Sequence, residues 1–180
     1  MLKITVPDGE FFNEATQTFI TSKETVLRLE HSLVSLSKWE SHWEKSFINT
    51  IEKSREETLW YIRAMTLDDD IPDIVYDCLT DENIKQINNY IDSKQTATWF
   101  ADNPNAKKSR EIITAEIIYY WMVSLNIPFE CQHWHLERLI TLIKVCDEKN
   151  APKKNMTPQQ IARRNQRLNE QRRAQLKTSG

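Results

Sequence analysis

The chain has 180 residues, about the length of one globular domain, and 39% of them are apolar, which is enough to form a buried core. Only two residues are glycine, so positions suited to tight hairpins or to glycine-rich phosphate-binding loops are few. Neither G-x-x-x-x-G-K-S/T nor G-x-G-x-x-G occurs, which argues against the nucleotide-binding folds that depend on those loops.

The three cysteines, Cys78, Cys131 and Cys146, are odd in number and irregularly spaced, which is not typical of a disulfide framework. The sequence MLKITVPDGEFF lacks the apolar run of a signal peptide. No run of about 18 apolar residues is present to span a membrane. These features predict a soluble protein, without membrane contacts, made in a reducing cytosol.

Charge is distributed unevenly along the chain. The overall net charge is −2, but residues 151–180 carry eight Lys or Arg against Glu170 alone, a net charge of +7. The first 150 residues carry 16 basic and 25 acidic side chains, a net charge of −9. The sequence therefore predicts an acidic body with a basic arm.

At the N-terminus, the short run LKITV is typical of a β-strand, and Pro7, Asp8 and Gly9 after it indicate a turn. Apolar side chains and one histidine alternate on one face of residues 25–33, which favours a second strand. The alternating residues are Leu27, Leu29, His31 and Leu33. The segment from Ser32 also fits a helix, so residues 25–50 remain open between strand and helix. We favour a small β element within about residues 1–33, followed by helix.

Helical signals dominate from Ser54, which with Glu57 forms a capping box. The acidic run at residues 68–72 ends that helix, and Thr80 begins another. Residues 92–108 form a polar loop.

Ser109 is predicted to cap a central buried helix over residues 110–126, because its apolar residues lie on nearly all sides. Pro128 suits the first turn of the next helix, which runs to about Glu148. Thr157 caps a last helix, whose apolar stripe is too thin to hold it on the core.

The predicted fold is therefore mainly α: a compact helical domain over residues 1–150, containing the small N-terminal β element, and a projecting basic helical arm over residues 151–180.

The stretch ECQHWHLERLITLIKVC places soft metal ligands close together in sequence. On a single helix, however, Cys131 and His135 share one face, His133 lies on the other side, and Cys146 is about 22 Å further along. These four residues cannot converge on one zinc ion. A two-ligand site completed elsewhere stays open, and a nucleophilic Cys–His pair lacks visible activators. We favour packing, with buried cysteines and helix-surface histidines, and we predict no cofactor and no metal.

Other acidic and aromatic residues have a structural interpretation. Asp68, Asp69 and Asp70 lack the EF-hand pattern and are typical of a solvated loop, and a group of glutamates is typical of a solvated face. These glutamates are Glu40, Glu44, Glu52, Glu56 and Glu57. Trp39 and Trp43 are spaced to anchor a core, and would mark a partner surface if they were exposed.

The arm's arginines suit either phosphate groups or an acidic protein surface. The net charge of −9 on the body opposes nucleic acid, so we favour a protein partner, including a second copy of the chain. The partner-binding residues that we predict are Trp39, Trp43, Arg163, Arg164, Arg167, Arg172 and Arg173.

The strings LEHSLVSLSKWESHWEKSF, REIITAEIIYYWMVSLNIPFECQHWHLERLITLIKVC and RRNQRLNEQRRAQLKTSG resemble bacteriophage tail assembly chaperones of long-tailed phages, from about residue 29 to residue 180. That resemblance implies a small helical protein of the host cytoplasm that binds the aggregation-prone tape measure protein during tail-tube formation. It implies no enzyme activity and no cofactor.

Two other functions remain open. One is a structural virion component, such as a connector or tail-completion protein, that uses the arm as a tether between subunits. The weaker one is nucleic-acid binding through the arm, which predicts steeply salt-dependent binding that is lost on truncation at Asn155.

Overall fold

The computed structural model describes residues 1–13, 18–98, 100 and 112–150, and nine positions of the arm: 159, 162, 163, 165, 166, 168–170 and 173. This part of the chain is mainly α-helical, as predicted. The chain divides into two units, Met1–Asp147 and Glu148–Gly180. In the second unit, the nine described arm positions are helical.

The predicted N-terminal β element is present, and it contains more strands than the sequence indicated. The strands are β1 (Leu2–Val6), β2 (Gly9–Asn13), β3 (Thr18–Ser22) and β4 (Thr25–Leu29). β1 pairs antiparallel with β4, and β2 with β3, in one continuing register that is interrupted at Pro7. In the β1–β4 pair, Ile4 lies opposite Leu27 and both are buried, whereas Lys3 and Arg28 on the other face are exposed.

Helices follow as far as residue 150. They are α1 (Leu33–Trp43), α2 (Arg55–Met65), α3 (Asp73–Asp77), α4 (Asp81–Ile91), α5 (Ala115–Ser124), a 3₁₀ helix (Phe129–His133) and α6 (Leu136–Asn150). Capping boxes begin α1 at Ser32, α2 at Ser54 and α4 at Thr80. The predicted starts of α2 and α4 are therefore confirmed, as is the change from strand to helix before residue 33.

The central helix is α1, not the helix predicted at residues 110–126. Leu33 and Leu36 of α1 pack with α5, the 3₁₀ helix and α6. Trp39, on another side of α1, packs with the β1–β4 sheet and with α2, α3 and α4. Because α1 contributes to both hydrophobic clusters, it joins the two halves of the core.

The helix predicted over residues 110–126 is shorter than expected and is buried on one side only. Ser109, its predicted cap, lies outside the described residues, and α5 begins at Ala115. Groups distant in sequence hold the backbone before it: the Ile113 N–H donates to Asn49 Oδ1 at 3.0 Å, and the Ile113 carbonyl accepts from Ser46 Oγ at 2.6 Å. Ile113 lies outside the helix, since Thr114 is the N-cap residue.

The single helix predicted from Pro128 to Glu148 is also wrong. The chain forms the 3₁₀ helix, becomes extended at Trp134, and begins α6 at Leu136. At the break, His135 forms a β-bridge with Ser32, and the Leu136 N–H donates to the His31 carbonyl at 2.7 Å. These bonds to the N-terminal part of the chain interrupt the helix. Within the described residues, none of the helices is both long enough and apolar enough to cross a membrane.

Candidate functional site

α5 exposes apolar side chains that the core does not cover. Its sequence, AEIIYYWMVS, is apolar at most positions, but only Ala115, Ile118 and Met122 are buried. Tyr120 is 68% exposed and Val123 is 57% exposed, three residues apart on one side of the helix. We call these two residues the α5 stripe. An apolar helix face that is open to solvent is typical of a surface that binds a partner.

A groove of about 320 Å³ lies between α5 and α6. Its lining is mostly apolar, with charged residues only at α6 positions that are exposed. The lining residues are Trp121, Ser124, Leu125, Ile140, Ile143, Lys144 and Asp147. Residues of α5 form one wall of this groove, so α5 contributes both to the groove and to the α5 stripe.

The apolar surface continues onto the 3₁₀ helix through Phe129, which is 54% exposed. The rings of Phe129 and Tyr119 have centroids 6.3 Å apart. The Tyr119 hydroxyl donates to Gln132 Oε1 at 2.9 Å, which fixes this ring between α5 and the 3₁₀ helix. The sequence indicated an apolar helix here but did not indicate which of its residues remain uncovered.

A second, larger cleft of about 520 Å³ lies beside α6, and its other walls come from α4, α5 and the segments before and after α1. Its lining is mainly apolar and aromatic. The lining residues are His31, Phe47, Ile48, Lys53, Ile91, Asp92, Ile113, Trp121, Leu136, Glu137, Ile140 and Lys144. Lys53 is half-buried, whereas the other charged residues of the lining are exposed. Sequence reasoning did not single out this lysine.

His31 and His135 are buried next to each other, with ring centroids 5.2 Å apart. Nδ1 of His31 lies 2.5 Å from the Tyr61 hydroxyl, and Nε2 of His135 donates to the Tyr90 carbonyl at 3.0 Å. Burial, with a smaller contribution from the neighbouring His135, lowers the pKa of His31 to about 3. The interpretation of His135 as a helix-surface histidine is therefore wrong, because the β-bridge to Ser32 brings it inside the fold.

Glu40 is buried, contrary to its prediction as part of a solvated face. Its carboxylate accepts hydrogen bonds from the backbone N–H groups of Phe47 and Ala115, both at 2.7 Å. Burial raises the pKa of Glu40, although these two N–H donors oppose the increase. The residue connects the C-terminal end of α1 to the start of α5.

Glu57 is buried as well and serves the start of α2. Its carboxylate accepts from Lys45 and from the Ser54 N–H, the second at 2.8 Å. The hydrogen bond from Lys45 lowers the pKa of the Glu57 carboxyl. Its backbone carbonyl accepts from Nε1 of Trp39 at 3.0 Å. Glu57 therefore belongs to the structural framework and is not part of a solvated face.

The two predicted tryptophans lie in different surroundings. Trp39 is 0% exposed, which removes it from the candidate partner surface, because its ring fills the core between α1 and α2. Trp43 is half-buried, and its Nε1 is buried without a hydrogen-bond partner among the described residues. A partner role for Trp43 stays a prediction.

Of the predicted arm residues, Arg163 and Arg173 are exposed at helical positions. The others lie outside the described residues: Arg164, Arg167 and Arg172. The arm's binding role stays a prediction.

The cluster of cysteines and histidines does not assemble into one site. Cys131 is buried in the 3₁₀ helix, His133 is exposed, and Cys146 is half-buried on α6. Within the described ranges, three or more His, Cys, Asp or Glu side chains do not come together in a way that could hold a metal ion. In the acidic run, Asp68 accepts from the backbone and side chain of Arg28 at 2.8 and 2.6 Å, so it fixes the chain after α2 against β4.

Comparison with protein-family models, with curated proteins and with solved structures finds no match to this chain.

Proposed function

We propose that this chain is a non-enzymatic binding protein of bacteriophage tail assembly, which shields the tape measure protein while the tail tube forms in the host cytoplasm. The observation that carries the proposal is the uncovered apolar surface of α5, formed by the α5 stripe and the adjoining groove. A helix that the chain's own core leaves half covered is suited to receive another helix.

The geometry favours a helical partner with an apolar face. The walls of the groove between α5 and α6 are mostly apolar and include Trp121, Leu125 and Ile140. An amphipathic helix binds such a groove through apolar residues spaced three and four apart. A tape measure protein, a long helical chain with apolar stripes, fits this description.

The basic arm has a second role in the same proposal. Residues 151–180 carry a net charge of +7, and in this proposal they bind acidic positions of the partner helix. The exposed side chains of Arg163 and Arg173 support this role, since they are available to acidic groups.

Co-expression with the tape measure protein of the same phage tests the proposal. We expect a complex that co-purifies and a larger soluble fraction of the tape measure protein. The absence of a complex, together with no gain in solubility, would count against the function.

The exposed arm arginines also favour a second candidate, a structural virion component that uses the arm as a tether between subunits. Mass spectrometry of purified virions separates the two candidates. A chaperone is absent from the mature particle, whereas a structural component is present in a fixed copy number.

A further inference from the structure

The larger cleft has the features of a small-molecule site. It shares Trp121, Ile140 and Lys144 with the groove between α5 and α6, but binding of a small molecule there does not rest on the proposed function. Its volume of about 520 Å³ is within the usual range for ligand pockets, roughly 300–1,000 Å³. Its walls come from residues far apart in sequence, including Phe47, Ile91, Trp121 and Ile140. These side chains suit an apolar ligand body.

Lys53 brings a half-buried positive charge to the cleft. Its Nζ lies 4.0 Å from the centroid of the Phe47 ring and donates to the Thr50 carbonyl at 2.7 Å. Within the described residues, no carboxylate forms an ion pair with it. Burial lowers the pKa of Lys53, with nearby Glu57 acting in the opposite direction. A half-buried ammonium group without an anionic partner is suited to bind an anion.

His31 also lines this cleft. Its Nδ1 lies 2.5 Å from the Tyr61 hydroxyl, so this nitrogen is already paired inside the fold.

The other charged residues of the lining are two acidic and one basic. Asp92, Glu137 and Lys144 lie at solvent-exposed positions, where water screens them. Lys53 is the charged group that a ligand's polar end would meet next to the aromatic wall.

We propose that this cleft binds a single-chain amphiphile with a carboxylate head group, whose carboxylate pairs with Lys53 and whose alkyl chain lies along Trp121 and Ile140. The chemistry is reversible binding, with no bond formed or broken.

Isothermal titration calorimetry with three eight-carbon probes, octanoate, octanol and octylammonium, tests the proposal on the full chain. We expect octanoate to bind roughly tenfold more tightly than octanol, since a charged hydrogen bond in a half-buried site is worth about that factor, and octylammonium not to bind. Equal binding of octanoate and octanol, tighter binding of octylammonium, or no octanoate binding would overturn the proposal.

Variants locate the carboxylate. Lys53→Met should weaken octanoate binding by roughly tenfold and leave octanol binding unchanged, which also shows that the cleft is intact. Lys53→Arg should retain most of the affinity, and the matched control Lys144→Met, at an exposed position of the same cleft, should change it by less than about twofold. Unchanged octanoate affinity in Lys53→Met would overturn the assignment of Lys53.

Discussion

Glu40 and Ala115 are 75 positions apart, and the Glu40 carboxylate accepts the Ala115 N–H at 2.7 Å. The same carboxylate binds the Phe47 N–H. Thr114, at the position before α5, makes no side-chain capping bond, so a residue of α1 takes the place of a local cap. The start of α5 is therefore capped by a buried carboxylate from α1.

Replacing Glu40 by Gln should destabilise the protein. An amide has one acceptor oxygen, and its NH₂ group would face the second backbone N–H, which leaves a buried donor unpaired at a cost of about 1–3 kcal/mol. Urea unfolding at neutral pH measures this change. Glu116→Gln, at an exposed position in the first turn of α5, is the control and should cost less than about 1 kcal/mol. Equal effects of the two substitutions would contradict the capping role.

Glu44 occupies the left-handed conformation at the end of α1, with φ of 52°. Glycine adopts this conformation without a steric penalty, whereas residues with a Cβ atom adopt it at a steric cost. Glu44→Gly should therefore raise the free energy of unfolding by about 0.5–1 kcal/mol, after allowing for the greater freedom of glycine in the unfolded chain. Glu44→Ala, which keeps the Cβ atom, should give no increase. A gain from alanine equal to that from glycine would exclude this explanation.

The stability of the protein should fall as the pH decreases below about 6.5. Folded His31 has a pKa of about 3, against an ordinary 6.5, so between these values the unfolded chain binds a proton that the folded chain does not. From pH 7 to pH 5 this single group should lower the free energy of unfolding by about 2 kcal/mol. Urea unfolding of the wild type at the two pH values gives the total change.

A variant isolates the contribution of His31 from that of the carboxyl groups. In His31→Gln the change between pH 7 and pH 5 should be smaller by about 2 kcal/mol, whatever the variant's stability at pH 7. His133→Gln, which alters an exposed histidine, should keep the wild-type change. A pH dependence in His31→Gln equal to that of the wild type would show that His31 is protonated in the folded state.

Local patterns in the sequence predicted the parts of the fold that local interactions determine. The β-type run LKITV identified β1, and alternation identified β4. The capping box of Ser54 with Glu57 identified the start of α2, and Thr80 before two acidic residues identified the start of α4. β2 was missed because Phe11 and Phe12 are adjacent, so its sequence does not alternate. The start of α5 was wrong because its cap comes from Glu40, which no pattern near residue 115 reveals.

The residues of the candidate site were likewise predictable only where local sequence patterns determine them. Spacing placed Trp39 and Trp43 on one face of a helix, but the tertiary packing of the β1–β4 sheet and of α2, α3 and α4 determines that Trp39 is covered. The apolar sequence of α5 was evident, whereas its exposed side is determined by what packs on the other side. Lys53 and His31 line the same cleft because the tertiary structure brings them there, and they do not belong to a common sequence motif.

Two substitutions in the α5 stripe should leave the fold intact. Tyr120 and Val123 are exposed, so Tyr120→Asp combined with Val123→Asp should change the free energy of unfolding by no more than about 1 kcal/mol. Asn88→Asp combined with Asn89→Asp, at exposed positions of α4, introduces the same two charges on a polar face and is the matched control. Urea unfolding of both variants tests this. A large loss of stability in the stripe variant alone would indicate that the stripe is part of the core.

The most direct measurement is the amount of soluble, co-purifying tape measure protein when it is co-expressed with the wild type, the stripe variant or the control variant. If α5 receives an apolar helix of that partner, the wild type and the control recover similar amounts of complex, and the stripe variant recovers at least about tenfold less, because two aspartates would lie unpaired in an apolar interface. Equal recovery with all three proteins would contradict the role of α5.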